Sequence, residues 1–127
     1  AYRGKRDLPG VPQQRGDEAS IDGLGEGRVM KIYIAGPMTG YENYNRQMFN
    51  AVAQQMLSGG HVALNPATLP DGLSQREYMD ICLAMLRCAD AIHMLHGWQE
   101  SEGAVAEHAM AKKLGIKISY QFEGAAA

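Results

Sequence analysis

From Met30 onward, short β-prone runs alternate with helical stripes, and this alternation constrains the fold more than any other feature of the chain. Lys31-Ile-Tyr-Ile-Ala35 is an apolar run broken by Gly36-Pro37, which predicts a first strand. Asn45–Ser58 then sets Met48, Phe49, Val52, Ala53, Met56 and Leu57 at helical spacing, and Gly59-Gly60 closes that helix. His61–Leu64 reads as a second strand stopped at Asn65-Pro66. Ser74–Cys88 carries Tyr78, Cys82, Met85, Leu86 and Ala89 on one helical stripe, and Ala91–Leu95 follows as a third strand. Gly103–Leu114 is a third helix ended by Gly115, and Ile116–Tyr120 is a fourth strand. Strands separated by helices of this length need right-handed crossovers, hence a parallel sheet covered on both faces. The expected fold class is α/β: a small Rossmann-like or flavodoxin-like three-layer sandwich spanning residues 30–121, with a short tail at 122–127.

Upstream of Met30 the composition changes. Residues 1–29 hold six of the fifteen glycines, two prolines, five basic and five acidic residues, and only scattered apolar ones. Such a stretch buries too little surface to offset its ordering entropy, so it is expected to be an arm or leader without a fold of its own. Met30 followed by Lys-Ile-Tyr-Ile-Ala reads like a natural beginning, which makes residues 1–29 a leader, a cloning remnant or upstream read-through. If that segment is ordered, this domain's surface or a neighbouring subunit must hold it.

Charge and composition exclude several partners. With 12 basic and 14 acidic residues the net charge is −2, and no clustered Lys and Arg suggest a nucleic-acid polymer as ligand. No apolar run approaches the roughly 20 residues that span a bilayer, and no apolar stretch follows the charged N-terminus as in a secretory signal. Cys82 and Cys88, six apart on one helix, point to different faces, which argues against a disulfide or a metal clip. The cytoplasm is the default compartment. His61, His93, His96 and His108 show no metal-ligand spacing, so no metal and no cofactor are expected.

In parallel α/β sheets the ligand site lies outside the carboxyl ends of the strands. Those ends are Gly36-Pro37-Met38-Thr39-Gly40, Asn65-Pro66 and His96–Ser101. Glu107 is the residue that stands out. Its helical neighbours Gly103, Ala104, Met110 and Ala111 are small or apolar, and a carboxylate within such a stripe costs several kcal/mol unless paired. Helical side chains lean toward the N-terminus, so Glu107 covers the turn containing Gly103, where no side chain takes up the space. The helix N-terminus is expected to favour its ionised form. The alternative is a structural network with a tyrosine or arginine.

Ser101 is placed to cap this helix, leaving the amides of Glu102, Gly103 and Ala104 facing an anion such as phosphate; capping alone is the competing reading. The Gly36–Gly40 loop is neither a P-loop nor Gly-x-Gly-x-x-Gly, which disfavours a nucleotide-dependent kinase or a dehydrogenase. It can still bring Gly36, Pro37, Met38 and Thr39 against a sugar or base. Trp98 is a candidate for base stacking or for packing on the sheet edge. Asp90 is expected to cap or turn the chain, and Asp80 to sit on a solvated face.

Tyr33-Ile-Ala-Gly-Pro-Met-Thr-Gly40 and Ala89-Asp-Ala-Ile-His-Met-Leu-His-Gly-Trp-Gln-Glu-Ser-Glu-Gly-Ala-Val-Ala-Glu107, with the trailing Ala111 and Gly115, resemble a small family of bacterial and phage domains (DUF4406-like). That family is similar to the nucleoside 2-deoxyribosyltransferases and the deoxynucleoside 5′-monophosphate N-glycosidases. The resemblance covers nearly all of residues 30–121, and Gly-Trp-x-x-Ser-x-Gly-Ala-x-x-Glu is its most specific part. It implies that Glu107 attacks the anomeric carbon of a deoxynucleoside or deoxynucleotide, releasing the base and leaving a sugar ester for water or a second base to resolve. It also implies that Ser101, standing where the transferases carry aspartate, favours a nucleotide by helping to hold its 5′-phosphate, and that subunits associate to complete their pockets.

The chain departs from the family pattern at one place. The second acid of the relatives falls on Cys82 here; Asp80, the possible second acid of this chain, is two residues away and about 200° around the helix. A thiol does not readily replace a carboxylate that shuttles a proton to the leaving base. The expected activity is therefore N-glycosidic cleavage or transfer, and the alternative is a nucleotide-binding sensor or sequestering module with little turnover. In both, the partner is a small nucleotide bound by a homo-oligomer.

Overall fold

In the computed structural model, residues 18–19 and 27–122 are described. Five strands form one parallel sheet: β1 (Glu18–Ala19), β2 (Lys31–Ala35), β3 (Val62–Leu64), β4 (Ala91–Met94) and β5 (Lys117–Tyr120), in the order β1-β5-β4-β2-β3. Among the described residues three α-helices connect β2 through β5: α1 (Arg46–Ser58), α2 (Gln75–Arg87) and α3 (Glu102–Leu114). The four strands from β2 onward and all three helices match the pattern read from the sequence, and the architecture is the small Rossmann-like or flavodoxin-like sandwich expected. Glu18–Ala19 adds a strand to the edge, pairing with Ile118 and Ser119. Two residues of the segment read as an arm without a fold of its own thus lie on the edge of this domain's sheet. The remaining upstream residues, and 123–127, lie outside the described residues.

Alternation along the strands divides the core in two. Ile32, Ile34, Ala91 and Leu95 face α1, packing with its Phe49, Val52, Ala53 and Met56. Tyr33, Ala35, Ile92, Met94 and Ile118 face α2 and α3, against Cys82, Leu86, Ala104 and Ala111. The α1 stripe is narrower than its spacing suggested: Met48 and Leu57 are 41% and 53% exposed. They flank the buried face, where a short helix over a narrow sheet leaves them uncovered.

Local chemistry sets the element ends. Ser74 and Glu77 form a reciprocal capping box that starts α2. Gly115, at φ +74°, ends α3 in the left-handed conformation that favours glycine. Asp90 accepts the Lys31 amide (2.9 Å) and so joins the start of β2 to the turn before β4, the structural role expected of it. At α1 the helix begins one residue later than predicted, because Asn43, Tyr44 and Asn45 are all left-handed, with φ of 51°, 54° and 61°.

Adjacent placement of β2 and β4, with β3 and β5 on their outer sides, creates a topological switch point. The crevice above it, between the loops after β2 and β4, is the ligand position such sheets offer. Gly36 is required there: a Cβ would stand 2.7 Å from Leu95 Cβ, so the two loops could not approach as they do.

Candidate functional site

Glu107 is buried, with 5% of its surface exposed, on the side of α3 that faces β2. Tyr33, inward-facing in the middle of β2, donates its hydroxyl to Glu107 Oε2 at 2.8 Å. The partner is a neutral phenol 74 residues away in sequence, and no cation is paired with Glu107 among the described residues. Burial drives the carboxyl upward, to a pKa of about 7, against the opposing pull of the Tyr33 hydrogen bond. The helix N-terminus was expected to keep Glu107 ionised. It does not prevail, because Glu107 lies beyond the first turn of α3, where the dipole fades.

Two further groups complete the cluster. Cys82 on α2 is buried in the same cluster as Tyr33; burial holds its thiol up at about 11, with Tyr33 opposing the shift and Glu107 adding to it. Tyr78, one turn earlier, brings its hydroxyl within hydrogen-bond distance of Met38 Sδ (2.9 Å) and the Pro66 carbonyl (3.0 Å), its one proton serving either, and so links the loops after β2 and β3. Its hydroxyl is also held well above the usual range, chiefly by burial and then by Cys82 and Glu107, while Arg46 pulls the other way. Tyr33, Tyr78 and Cys82 are thus neutral proton carriers around one acid of adjustable charge.

Gly103, one turn before Glu107, leaves room beside the acid. A Cβ there would meet only Met79 Sδ, at 3.9 Å. Asp80 is exposed on α2, so the face of α2 that meets Tyr33 and Glu107 presents the Cys82 thiol rather than a second carboxylate.

The remaining candidates are distributed around the crevice. Pro37 is buried and its carbonyl accepts from Asn45 Nδ2 (2.9 Å); Met38 is half-buried beneath Tyr78, and Thr39 is exposed. Ser101 caps α3, its Oγ accepting the Ala104 amide at 3.2 Å. One of the three amides expected to face an anion is therefore occupied, while the Ser101 proton remains available to donate. Trp98 stacks on His108 (centroids 4.3 Å, 28°) and leans on Tyr120. One indole face is thus covered, and its buried Nε1 has no hydrogen-bond partner among the described residues. The depression beside it, lined by His96, Gly97, Trp98 and Phe122, is shallow, with a volume of about 10 Å³. Glu107 does not line it.

The four histidines go separate ways: His61 accepts the Met30 amide, His93 meets Ser119, His108 meets Tyr120 and His96 packs on Phe122. Among the described residues no group of three or more His, Cys, Asp or Glu could hold a metal, and no helix is long and apolar enough to cross a membrane. Both cysteines are free.

Sequence reasoning singled out Glu107 and the glycine before it, and missed Tyr33 and Tyr78 as their companions. The available signal was a tyrosine inside a strand buried on both faces, since a buried hydroxyl requires a partner.

No curated protein matches the chain. A family model, domain of unknown function (DUF4406), matches residues 30–120, the whole sheet-and-helix unit from β2 to β5 with its buried acid. The chain belongs to the DUF4406 family.

Proposed function

We propose that this domain cleaves or transfers the N-glycosidic bond of a deoxynucleotide or related nucleotide, with Glu107 as the nucleophile. The observation that carries this reading is an acid buried at the switch-point side of α3, bonded to a phenol rather than to a cation, with the space at Gly103 beside it. An acid neutralised by an arginine would be a structural ion pair. One held by a single neutral donor keeps an oxygen for a reacting carbon.

In this mechanism Glu107, deprotonated, attacks the anomeric carbon as the bond to the base breaks and the base departs with the electron pair. Its charge stabilises the oxocarbenium-like centre before the ester forms. Tyr33 fixes the carboxylate through Oε2 and favours its ionised form. Water or an acceptor base then displaces Glu107 from the sugar.

Cys82 supports a second reading, a nucleotide-binding sensor or sequestering module with little turnover. With its thiol at about 11 it keeps its proton at neutral pH and is a poor shuttle for a leaving base. Incubation with deoxynucleoside monophosphates and chromatographic detection of free base separates the two. Base release that disappears in Glu107→Gln is the expected result. Binding without release from the unaltered protein would leave only the sensor.

A further inference from the structure

Arg46 opens α1, and its side chain is only 25% exposed although its carboxylate partner, Asp71, is 78% exposed. The guanidinium touches Asp71 Oδ1 at 2.5 Å and Asn43 Oδ1 at 3.2 Å, and lies 5.1 Å from the Tyr44 ring centroid. An ion pair whose acid is this solvated is weak and readily exchanged. Asn45, the residue before Arg46, donates to the Pro37 carbonyl in the loop after β2 (2.9 Å), and Asp71 lies in the loop after β3, so the guanidinium sits where these two loops meet α1. Tyr78 in turn touches Met38, in the loop after β2 that walls the crevice, and Pro66 in the loop after β3. The start of α1 and Tyr78 thus border the same two loops, those after β2 and β3, at the carboxyl end of the sheet.

We propose that Arg46 is the specificity-determining anion anchor of this site, exchanging Asp71 for the phosphate of a nucleotide whose glycosidic carbon lies at Glu107. The proposal rests on the reading of Glu107 given above. A phosphate offers close to two negative charges and several acceptor oxygens to a guanidinium fork, where Asp71 offers one exposed carboxylate. Asp71 is the placeholder that gives way. Ser101, already used to cap α3, would be an uncharged second donor.

A staple role for Arg46 is the competing account, because it also braces the left-handed turn through Asn43 and Tyr44. The two accounts predict opposite effects at Asp71. The test measures binding, by calorimetry in the Glu107→Gln background, of a deoxynucleoside, its 5′-monophosphate and 2-deoxyribose 5-phosphate. Arg46→Ala should weaken both phosphorylated ligands by about 10- to 100-fold and leave the nucleoside unchanged, with partial recovery in Arg46→Lys. Asp71→Asn should tighten the phosphorylated ligands several-fold. Equal losses for nucleoside and nucleotide, or weakening by Asp71→Asn, would overturn the proposal in favour of the staple. If Arg46→Ala melts early, Arg46→Lys and Asp71→Asn decide the matter alone. Equal binding of nucleoside and nucleotide by the protein with Arg46 intact would remove the phosphate anchor while leaving Glu107's role standing. No binding of any of the three ligands, with no base released by the unaltered protein, would remove both.

Discussion

His93 and Glu107 are buried on opposite faces of the sheet, and the two are treated differently. His93, on the α1 face of β4, is 3% exposed and meets Ser119 Oγ at 2.7 Å. Burial pushes its pKa down to about 4, so at neutral pH it is an uncharged imidazole in a two-member polar pair. Glu107, on the opposite face, is as deeply buried, yet it is pushed to about 7, where its charge is undecided at neutral pH. Around it stand three more proton-bearing groups, and one turn away is a glycine with space above it. Burial of a polar group alone therefore does not mark a site. What the proposed site adds is a group left near its titration point with room beside it.

The largest test of that contrast is turnover. Glu107→Gln keeps the size and the acceptor for Tyr33, and should lower base release on the order of a thousandfold or more. His93→Gln should leave the turnover number within a small factor, provided the protein is folded at the assay temperature. Loss of activity in both variants, measured with melting curves showing intact folds, would erase the distinction between the two faces.

pH dependence of stability sharpens it next. For Glu107 the native state keeps a proton up to about 7 while the unfolded chain releases it near 4.5, so stability falls as pH rises through that window. For His93 the native state refuses a proton until about 4, while the unfolded chain takes one near 6.5, so stability falls as pH drops through that window. Each shift corresponds to about 3 kcal/mol, and across the overlap of the two windows they oppose each other. Glu107→Gln should uncover the histidine slope, with Tm dropping from pH 6.5 to 4.5. His93→Gln should uncover the opposite slope, with Tm rising from pH 7 to 4.5. Parallel pH profiles in the two variants would show that neither group titrates as its surroundings require.

Much of this was legible in the sequence because the signals were local. Strand and helix ends fell within a residue or two of their predicted places, since Gly59, Ser74, Ser101 and Gly115 act on adjacent backbone. The burial of Glu107 was readable too, from neighbours three and four residues away. What remained hidden depended on contacts across the fold. Tyr33 reaches Glu107 over 74 residues, and only the β2–β4 and α3 packing brings them together. Trp98 looked available for stacking, but His108 on α3 covers one face. Left-handed backbone at Asn43–Asn45 carries no glycine to announce it; Asn and Arg46 side chains support it instead.

Two glycines at the crevice carry the comparison to smaller effects. Gly36 separates the loops after β2 and β4, and an added methyl would press to 2.7 Å on Leu95 Cβ, an atom that cannot swing away. Gly36→Ala should therefore cost about 1–3 kcal/mol in denaturant unfolding. An unchanged midpoint would mean that the loops can part.

Gly103→Ala should do the reverse. The new methyl stands 3.9 Å from Met79 Sδ, an ordinary contact with a flexible side chain, and α3 gains up to about 1 kcal/mol from replacing a helical glycine. If the space above Gly103 served only packing, filling it would be harmless or helpful in every assay. If it is where the sugar meets Glu107, the variant must melt higher and bind or turn over nucleotide less well, a combination that a packing defect cannot produce. A variant that is both more stable and fully active would place the ligand elsewhere, and Glu107 would then belong with His93 as a buried structural group.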